Sequence, residues 1–316
     1  MKNRIRRNHS EELLARSLSL RHMAVRALAL IALVLVSGCG TFQTSSHGVS
    51  ASRPGEHALR SQHFRQAPQP ALAPFHFVQI TDTHHGHPLH LIRTRMAVDA
   101  INALPMPIEV VLHTGDLASN NLTMENAAAI SNEFSRLNAP VVFVPGNHDI
   151  LPKRMEENVA AFRAYLGPLA RRVEHGGAVF LALYTEPLRK GNAVDGYDPL
   201  DWLGQQLSAE PRRPTFVVHH APDGLDFYRN KQHEGWPDAE RQRWQEVLSR
   251  GNVRAIIAGH FHRDELQWNE LGIPTYISAG IACYWDRQGS FRIYTYADGR
   301  LTYQTVYIED PPLEKN

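Results

Sequence analysis

The feature that most constrains the fold is positional: short β-rich apolar runs end, one after another, in polar clusters of Asp, His, Asn and Gly. Phe77-Val78-Gln79-Ile80 runs into Thr81-Asp82-Thr83-His84, and Val110-Val111-Leu112 into His113-Thr114-Gly115-Asp116. Val141–Val144 leads to Pro145-Gly146-Asn147-His148-Asp149. Phe216–Val218 leads to His219-His220-Ala221-Pro222, and Ala255–Ala258 to Gly259-His260-Phe261-His262. In open α/β sheets the loops at the carboxyl ends of the strands converge over a rigid scaffold, and ligands bind there. The five clusters therefore predict one shared site.

The wider pattern agrees with an α/β domain over residues 75–310, because apolar runs alternate with amphipathic stretches. Strands are predicted at Phe75–Ile80, Glu109–Leu112, Val141–Val144, Val179–Leu183, Thr215–Val218, Val253–Ala258 and Thr275–Ser278. Helices are predicted at Leu91–Leu104, Thr123–Leu137, Arg154–Leu166 and Asp238–Arg250. Thr123 and Asp238 read as N-caps, and Gly167-Pro168 and Gly251 as stops. Phe291–Ala297 and Leu301–Ile308 flank Asp298-Gly299 and read as a hairpin.

The clusters have the composition of metal ligands. Asp-x-His and His-x-His on an extended segment would place both side chains on one side. Gly115, Gly146 and Gly259 would permit sharp turns and close approach to the backbone. Carboxylates with imidazoles, and no thiolate, suit Zn, Mn, Fe, Co or Ni.

Asp82-x-His84, Gly115-Asp116, Gly146-Asn147-His148-Asp149, His219 and Gly259-His260-x-His262 together resemble the motif series of the calcineurin-like metallophosphoesterases. The nearest likeness is to the bacterial branch that includes class III cyclic-nucleotide phosphodiesterases. The resemblance implies a four-layer α-β-β-α sandwich of two mixed sheets, with the metal site at the strand carboxyl ends. It assigns Asp82, His84, Asp116 and His262 to one metal and Asp116, Asn147, His219 and His260 to the other. The ions would be Mn, Fe, Zn or Co, about 3.5–4 Å apart, and Asp116 would bridge them. The implied reaction is hydrolysis of a phosphomonoester or phosphodiester by attack of a metal-bound hydroxide. His148 is implied not as a ligand but as the group that faces the phosphate and stabilises the transition state or protonates the leaving oxygen.

Two positions blur the pattern. Where many relatives carry an Asp that orients the Gly-Asn-His histidine, this chain has Ser119. The fifth cluster offers both His219 and His220; the resemblance favours His219, because relatives often read His-x-Pro-Pro and Pro222 keeps the last position. His85 and His87 are candidate substrate contacts or plain loop residues, whereas His76, His90, His113, His175 and His233 read as structural. Segment 223–237, with Phe227, Tyr228 and Trp236, is long enough to be a lid or specificity loop. Two competing readings are a metal-dependent amidohydrolase, in which His-x-His normally comes first rather than last, and a non-catalytic surface binding lipoprotein.

The amino-terminal part differs in kind. Residues 1–38 carry seven Lys/Arg and two Asp/Glu, which leaves the rest of the chain at a net charge of −4 out of a total of +1. No basic stripe remains to bind a polyanion, so nucleic acid is excluded as the main partner. The Ala27–Val36 run after Arg26 reads as a signal peptide and is about half the length a membrane-spanning helix needs. Val36-Ser37-Gly38-Cys39 resembles a bacterial lipobox, which implies cleavage before Cys39, lipidation of that cysteine and a membrane anchor. Gly40 after it lacks the aspartate retention signal, so the expected destination is the periplasmic side of an outer membrane. Residues 39–74 are rich in Ser, Gly, Pro and Gln and read as a tether. Of the two cysteines, Cys283 then has no partner for an intramolecular disulfide and reads as a small buried residue. The expected substrate is a small phosphoester.

Overall fold

The computed structural model describes residues 73–309 other than 227, 229–232 and 283. The expected signal peptide, Cys39, the tether up to residue 72, Phe227 and Cys283 lie outside the described residues. Among the described residues, eleven strands form two mixed sheets. The first has the order β11 (Arg300–Tyr307), β10 (Ser290–Ala297), β1 (Phe75–Ile80), β2 (Val110–His113), β3 (Val141–Phe143). The second runs β4 (Ala170–His175), β5 (Ala178–Leu183), β6 (Thr215–Val218), β7 (Val253–Ala258), β9 (Pro274–Ile277), β8 (Glu265–Trp268). Strands β1, β2 and β3 are parallel, as are β5, β6, β7 and β9, and the outer strands β11, β4 and β8 pair antiparallel.

Strand alternation divides the apolar residues among three layers of core. Phe77, Leu112, Phe180, Phe216 and Ile257 point between the sheets, where Phe77 stacks on Tyr294 at 4.8 Å and meets Phe180 edge-on at 5.1 Å. Their neighbours Val78, Ile80 and Val111 point outward from the first sheet onto Ala97, Val98, Ile130, Phe134 and Phe162 of three helices. Leu181, Val217 and Ile256 do the same on the second sheet, against Leu203, Leu207, Trp244 and Leu248. The result is the expected four-layer α-β-β-α sandwich. Strands buried on both faces read as continuous apolar runs, and that is why they stand out in the sequence.

The helices Pro88–Asn102, Met124–Phe134, Met155–Tyr165 and Asp238–Leu248 fall where the amphipathic stretches predict them. The Thr123 hydroxyl accepts from Asn126 N–H at 3.1 Å, as an N-cap should. Asp238 does not cap: Pro237 occupies the cap position with extended backbone, and the Asp238 carboxylate instead pairs with Arg241 within the first turn. At the hairpin, Ala297 pairs with Arg300, and Asp298 and Gly299 both have positive φ (51° and 74°), as a type I′ turn requires. The helix Pro199–Ala209, N-capped by Asp198, and the edge strands β4 and β8 are additions to the sequence prediction.

Phe77 is fully buried among aromatic rings from both sheets. Phe77→Ala should lower the unfolding free energy by about 3–5 kcal/mol, measured by urea denaturation. A loss below about 1 kcal/mol would show that the sheets do not depend on this layer.

Candidate metal centre

The five polar clusters do converge, but not on extended backbone. Beyond Ile80 and Ala258 the strands have ended, and Asp82, His84, Asp116, His260 and His262 all sit at positive φ (50°, 44°, 52°, 72° and 50°). They are five of the eight non-glycine residues with positive φ among the described residues. Each left-handed residue reverses the local direction of the chain, and two such residues flanking one ordinary residue aim both side chains inward. This corrects the strand-alternation reading of Asp-x-His and His-x-His. Such residues cost about 1–3 kcal/mol each and persist only where the surroundings enforce them. Here Asp82 N–H donates to Gly115 O at 3.0 Å, His84 N–H to Asp116 O at 3.0 Å, and His260 N–H to the Asp82 carboxylate at 3.1 Å.

Two Asp/His groups result. In the first, His262 Nε2 lies 3.3 Å from Asp82 Oδ1 and 3.3 Å from His84 Nε2. In the second, His220 Nε2 lies 3.2 Å from Asp116 Oδ2 and 3.2 Å from His260 Nδ1. The groups share a wall, since His84 Nε2 is also 3.7 Å from Asp116 Oδ2. Within each group the three candidate ligand atoms lie within 4.8 Å of one another, and all six residues are buried. Asp82 Oδ1 and Asn147 Oδ1 are buried without a hydrogen-bond partner. Buried acceptors are ordinarily satisfied, and a cation is what two carboxylates, an amide oxygen and imidazoles in this arrangement would satisfy.

His220, rather than His219, stands in the Asp116 group. In β6 the side chains of Phe216 and Val218 face the other sheet while Val217 faces outward. Alternation carries His219 outward too, where its ring packs on Trp236 at 5.6 Å and Trp244 at 5.3 Å. His220 turns inward to Asp116, and its Nδ1–H donates to Thr114 O at 2.8 Å.

Electrostatics separate the imidazoles. Burial pushes His84 down to about 4 and lowers His260 and His262, so these rings are neutral and their lone pairs are available. Burial also opposes charge on His220, yet the Asp116 carboxylate and its hydrogen bond overcome this and lift it to about 10. Burial likewise works against the Asp116 anion, but His220, by charge and by hydrogen bond, holds that carboxyl well below the usual range.

Asn147 and His148 enter from the loop after β3. His148 N–H donates to Asp116 Oδ1 at 2.9 Å, and its ring stands edge-on to His84 at 5.0 Å. The orienting group that the sequence lacks at Ser119 comes from the backbone: His148 Nδ1–H donates to Ser119 O at 2.8 Å, with Asn120 Oδ1 at 3.3 Å. This fixes the tautomer and leaves Nε2 as the second ring nitrogen. The Ser119 hydroxyl donates to His84 O at 2.6 Å. Gly146 is obligatory, because a β-carbon there would collide with the Asp116 carboxylate and amide. Asp149 ties the two loops together, accepting from the backbone N–H groups of Ala118 (2.8 Å), Gly146 (2.8 Å) and Leu117 (3.2 Å).

The groups open into a cleft of about 420 Å³ whose lining includes His84, Asp116, Asn147, His148, His260 and His262. His233, Tyr284 and Trp285 also line it, and no sequence motif marks them as site residues. His233 Nδ1–H donates to Asp226 Oδ2 at 2.7 Å, and Asp226 is held in turn by Arg263 at 2.7 Å. The only sequence signal for His233 was its place in the long 223–237 connection. His87 instead caps the Pro88–Asn102 helix by accepting from Leu89 N–H, and His85 contributes a backbone bridge to Ala118. His90 donates to His84 O at 2.9 Å and His113 bonds Thr83 at 3.0 Å, so both support the loops from behind. A larger hollow of about 760 Å³ between residues 193–198 and the Pro199–Ala209 helix is lined by none of the clustered His or Asp side chains.

Two contiguous Asp/His groups lie at the carboxyl ends of strands from two facing sheets, a four-layer fold around a candidate two-site metal centre. The sequence model of the Calcineurin-like phosphoesterase family matches residues 75–264, and the chain belongs to that family. It is 29% identical over 172 residues to the 3′,5′-cyclic adenosine monophosphate phosphodiesterase CpdA of Haemophilus influenzae, covering 51% of this chain and 57% of that protein. It is 29% identical over 189 residues to the serine/threonine-protein phosphatase CPPED1 of Rattus norvegicus, covering 54% and 59%. The matches thus span between half and two thirds of those relatives. Among solved structures, purple acid phosphatase PPD1 from yellow lupin superposes with a TM-score of 0.54 at 16% identity, covering 75% of this chain and 52% of that one, a likeness of fold.

Asp149→Ala should leave three backbone N–H groups without their acceptor and cost more than about 3 kcal/mol of stability, read from urea unfolding. A change under about 1 kcal/mol would show that the two loops hold without it.

Proposed function

We propose that this chain is a dinuclear-metal phosphoesterase acting on a small phosphomonoester or phosphodiester. The observation that carries this reading is the pair of buried Asp/His groups, in contact where His84 of the first lies 3.7 Å from Asp116 of the second, that open on one cleft with His148. Asp82, His84, Asp116 and His262 would hold one ion, and Asp116, Asn147, His220 and His260 the other. This donor set suits Mn, Fe, Zn or Co. When bound, such a pair supplies Lewis-acid neutralisation of phosphate-oxygen charge and acidification of water.

The chain's own residues supply the rest. Asp116 and the left-handed turns fix the positions of the ligand atoms before any substrate arrives, so little reorganisation is left for the reaction itself. His148, locked with its Nδ1 proton on Ser119 O, keeps Nε2 for a phosphate oxygen or the leaving group. The relatives named above, a cyclic-nucleotide phosphodiesterase and a protein phosphatase, support phosphoester chemistry. We further propose export and lipid anchoring through Cys39, supported by the leader and lipobox pattern. No helix among the described residues is long and apolar enough to cross a membrane.

Purified protein supplied with Mn²⁺ should bind about two ions and hydrolyse an aryl phosphomonoester or phosphodiester. Asn147→Ala should cut kcat/KM by about 100-fold or more. His220→Ala should lower the metal content, whereas His219→Ala should keep it and lose stability instead. Wild type that stays inactive with Mn²⁺, Zn²⁺ and Fe²⁺ would remove the enzymatic reading. Cys39→Ala should move the protein from the membrane to the soluble fraction; unchanged fractionation would refute the anchor.

A further inference from the structure

We infer that Trp285 forms a stacking subsite for a flat aromatic ring carried by the substrate, a nucleobase or a simple aryl group. The inference rests on the phosphoesterase reading for the position of the phosphate. Trp285 sits at φ 56°, ψ 35° in a tight turn, a conformation that a bulky residue avoids unless its surroundings impose it.

The surroundings do impose it. Just before the turn, Ile281 N–H donates to Thr81 O at 3.1 Å and Ala282 N–H to Asp82 O at 3.0 Å, which pins the segment to the first metal-ligand loop. Just after it, the Arg287 guanidinium donates to His262 O at 2.6 Å, and Arg93 donates to Arg287 O at 3.1 Å. The turn is thus fastened at both ends to the candidate ligand loops, and the strain holds one side chain at the rim of the cleft.

That side chain is an indole left 55% exposed. It lines the cleft, meeting His262 edge-to-face at 5.3 Å, Tyr284 at 5.8 Å and His233 at 6.4 Å, and the Arg287 guanidinium sits 5.4 Å from its ring centre, yet more than half of the indole stays open. A cation against one side of the indole supports it without hiding it. Exposed Trp268 and Leu225, by contrast, do not line the cleft. Among the described residues no lysine or arginine lines the cleft, whose polar groups are imidazoles, amides, hydroxyls and Asp116. The cleft offers one metal-ready centre and, a ring's width away, a π surface. A phosphoester joined to a planar ring fits this pairing, and base–aromatic stacking is tolerant of which ring it is.

The test is equilibrium binding to the full chain with Mn²⁺ supplied, using pairs that differ only in the ring: adenosine 5′-monophosphate against ribose 5-phosphate, and phenyl phosphate against methyl phosphate. Wild type should bind the ring-bearing partner of at least one pair about tenfold more tightly. Trp285→Ala and Trp285→Leu should bring that ratio close to one, while Trp285→Phe keeps most of it. Loss of preference in the adenosine pair alone identifies a nucleobase; loss in both identifies any aromatic ring. A wild-type ratio near one in both pairs, or a ratio that Trp285→Leu leaves intact, overturns the proposal. Turnover is scored separately: absence of hydrolysis would sink the phosphoesterase reading, and the affinity ratios would still decide the stacking subsite.

Discussion

The site depends on one carboxylate. Asp116 is buried at the end of β2, with Oδ1 taking the backbone N–H of His148 and Oδ2 facing His220 at 3.2 Å and His84 at 3.7 Å. It therefore touches the loop after β3, the loop after β1 and, through His220, the second sheet. A buried anion demands compensation, and the groups that provide it come from both halves of the sandwich. The sheets are joined behind it by Gln79, which donates to Thr114 and to Ala258 O while accepting from Tyr294. Removing the carboxylate would unmake the site and loosen the seam between the sheets.

The left-handed backbone at Asp82, His84, Asp116, His260 and His262 follows from the same demand. The candidate ligand atoms of five loops meet within a few ångströms, and ordinary extended chain cannot bend them there. The aromatic layer between the sheets supplies the rigidity against which that strain is held. Gly146 and Gly259 complete the arrangement, since a β-carbon at either would enter space already filled by Asp116, or by Thr81 and Asp82.

Much of this was legible from residue order. Strands with two buried faces produce apolar runs that cannot be mistaken for loop, and the polar residues that end them mark the carboxyl edge. Edge strands hide for the opposite reason: β4, read as Ala-Arg-Arg-Val-Glu-His, and β8, read as Glu-Leu-Gln-Trp, are mostly half-exposed and carry no such run. The choice between His219 and His220 turned on strand phase, because Phe216 and Val218 face inward and so does His220; motif spacing pointed one residue away. Trp285 carried no sequence signal, and His233 only its place in the 223–237 connection, because their approach to the cleft depends on where long connections return, which no local pattern encodes. The role of Ser119 was half visible: its side chain signalled a missing carboxylate, but its carbonyl, which every residue has, does the orienting.

The most direct test of a two-site centre built on Asp116 is anomalous diffraction from crystals of the chain grown with Mn²⁺. The account predicts two peaks, one among Asp82, His84 and His262 and one among Asn147, His220 and His260, with Asp116 between them. A single peak, or a second ion bound by His219, would contradict it.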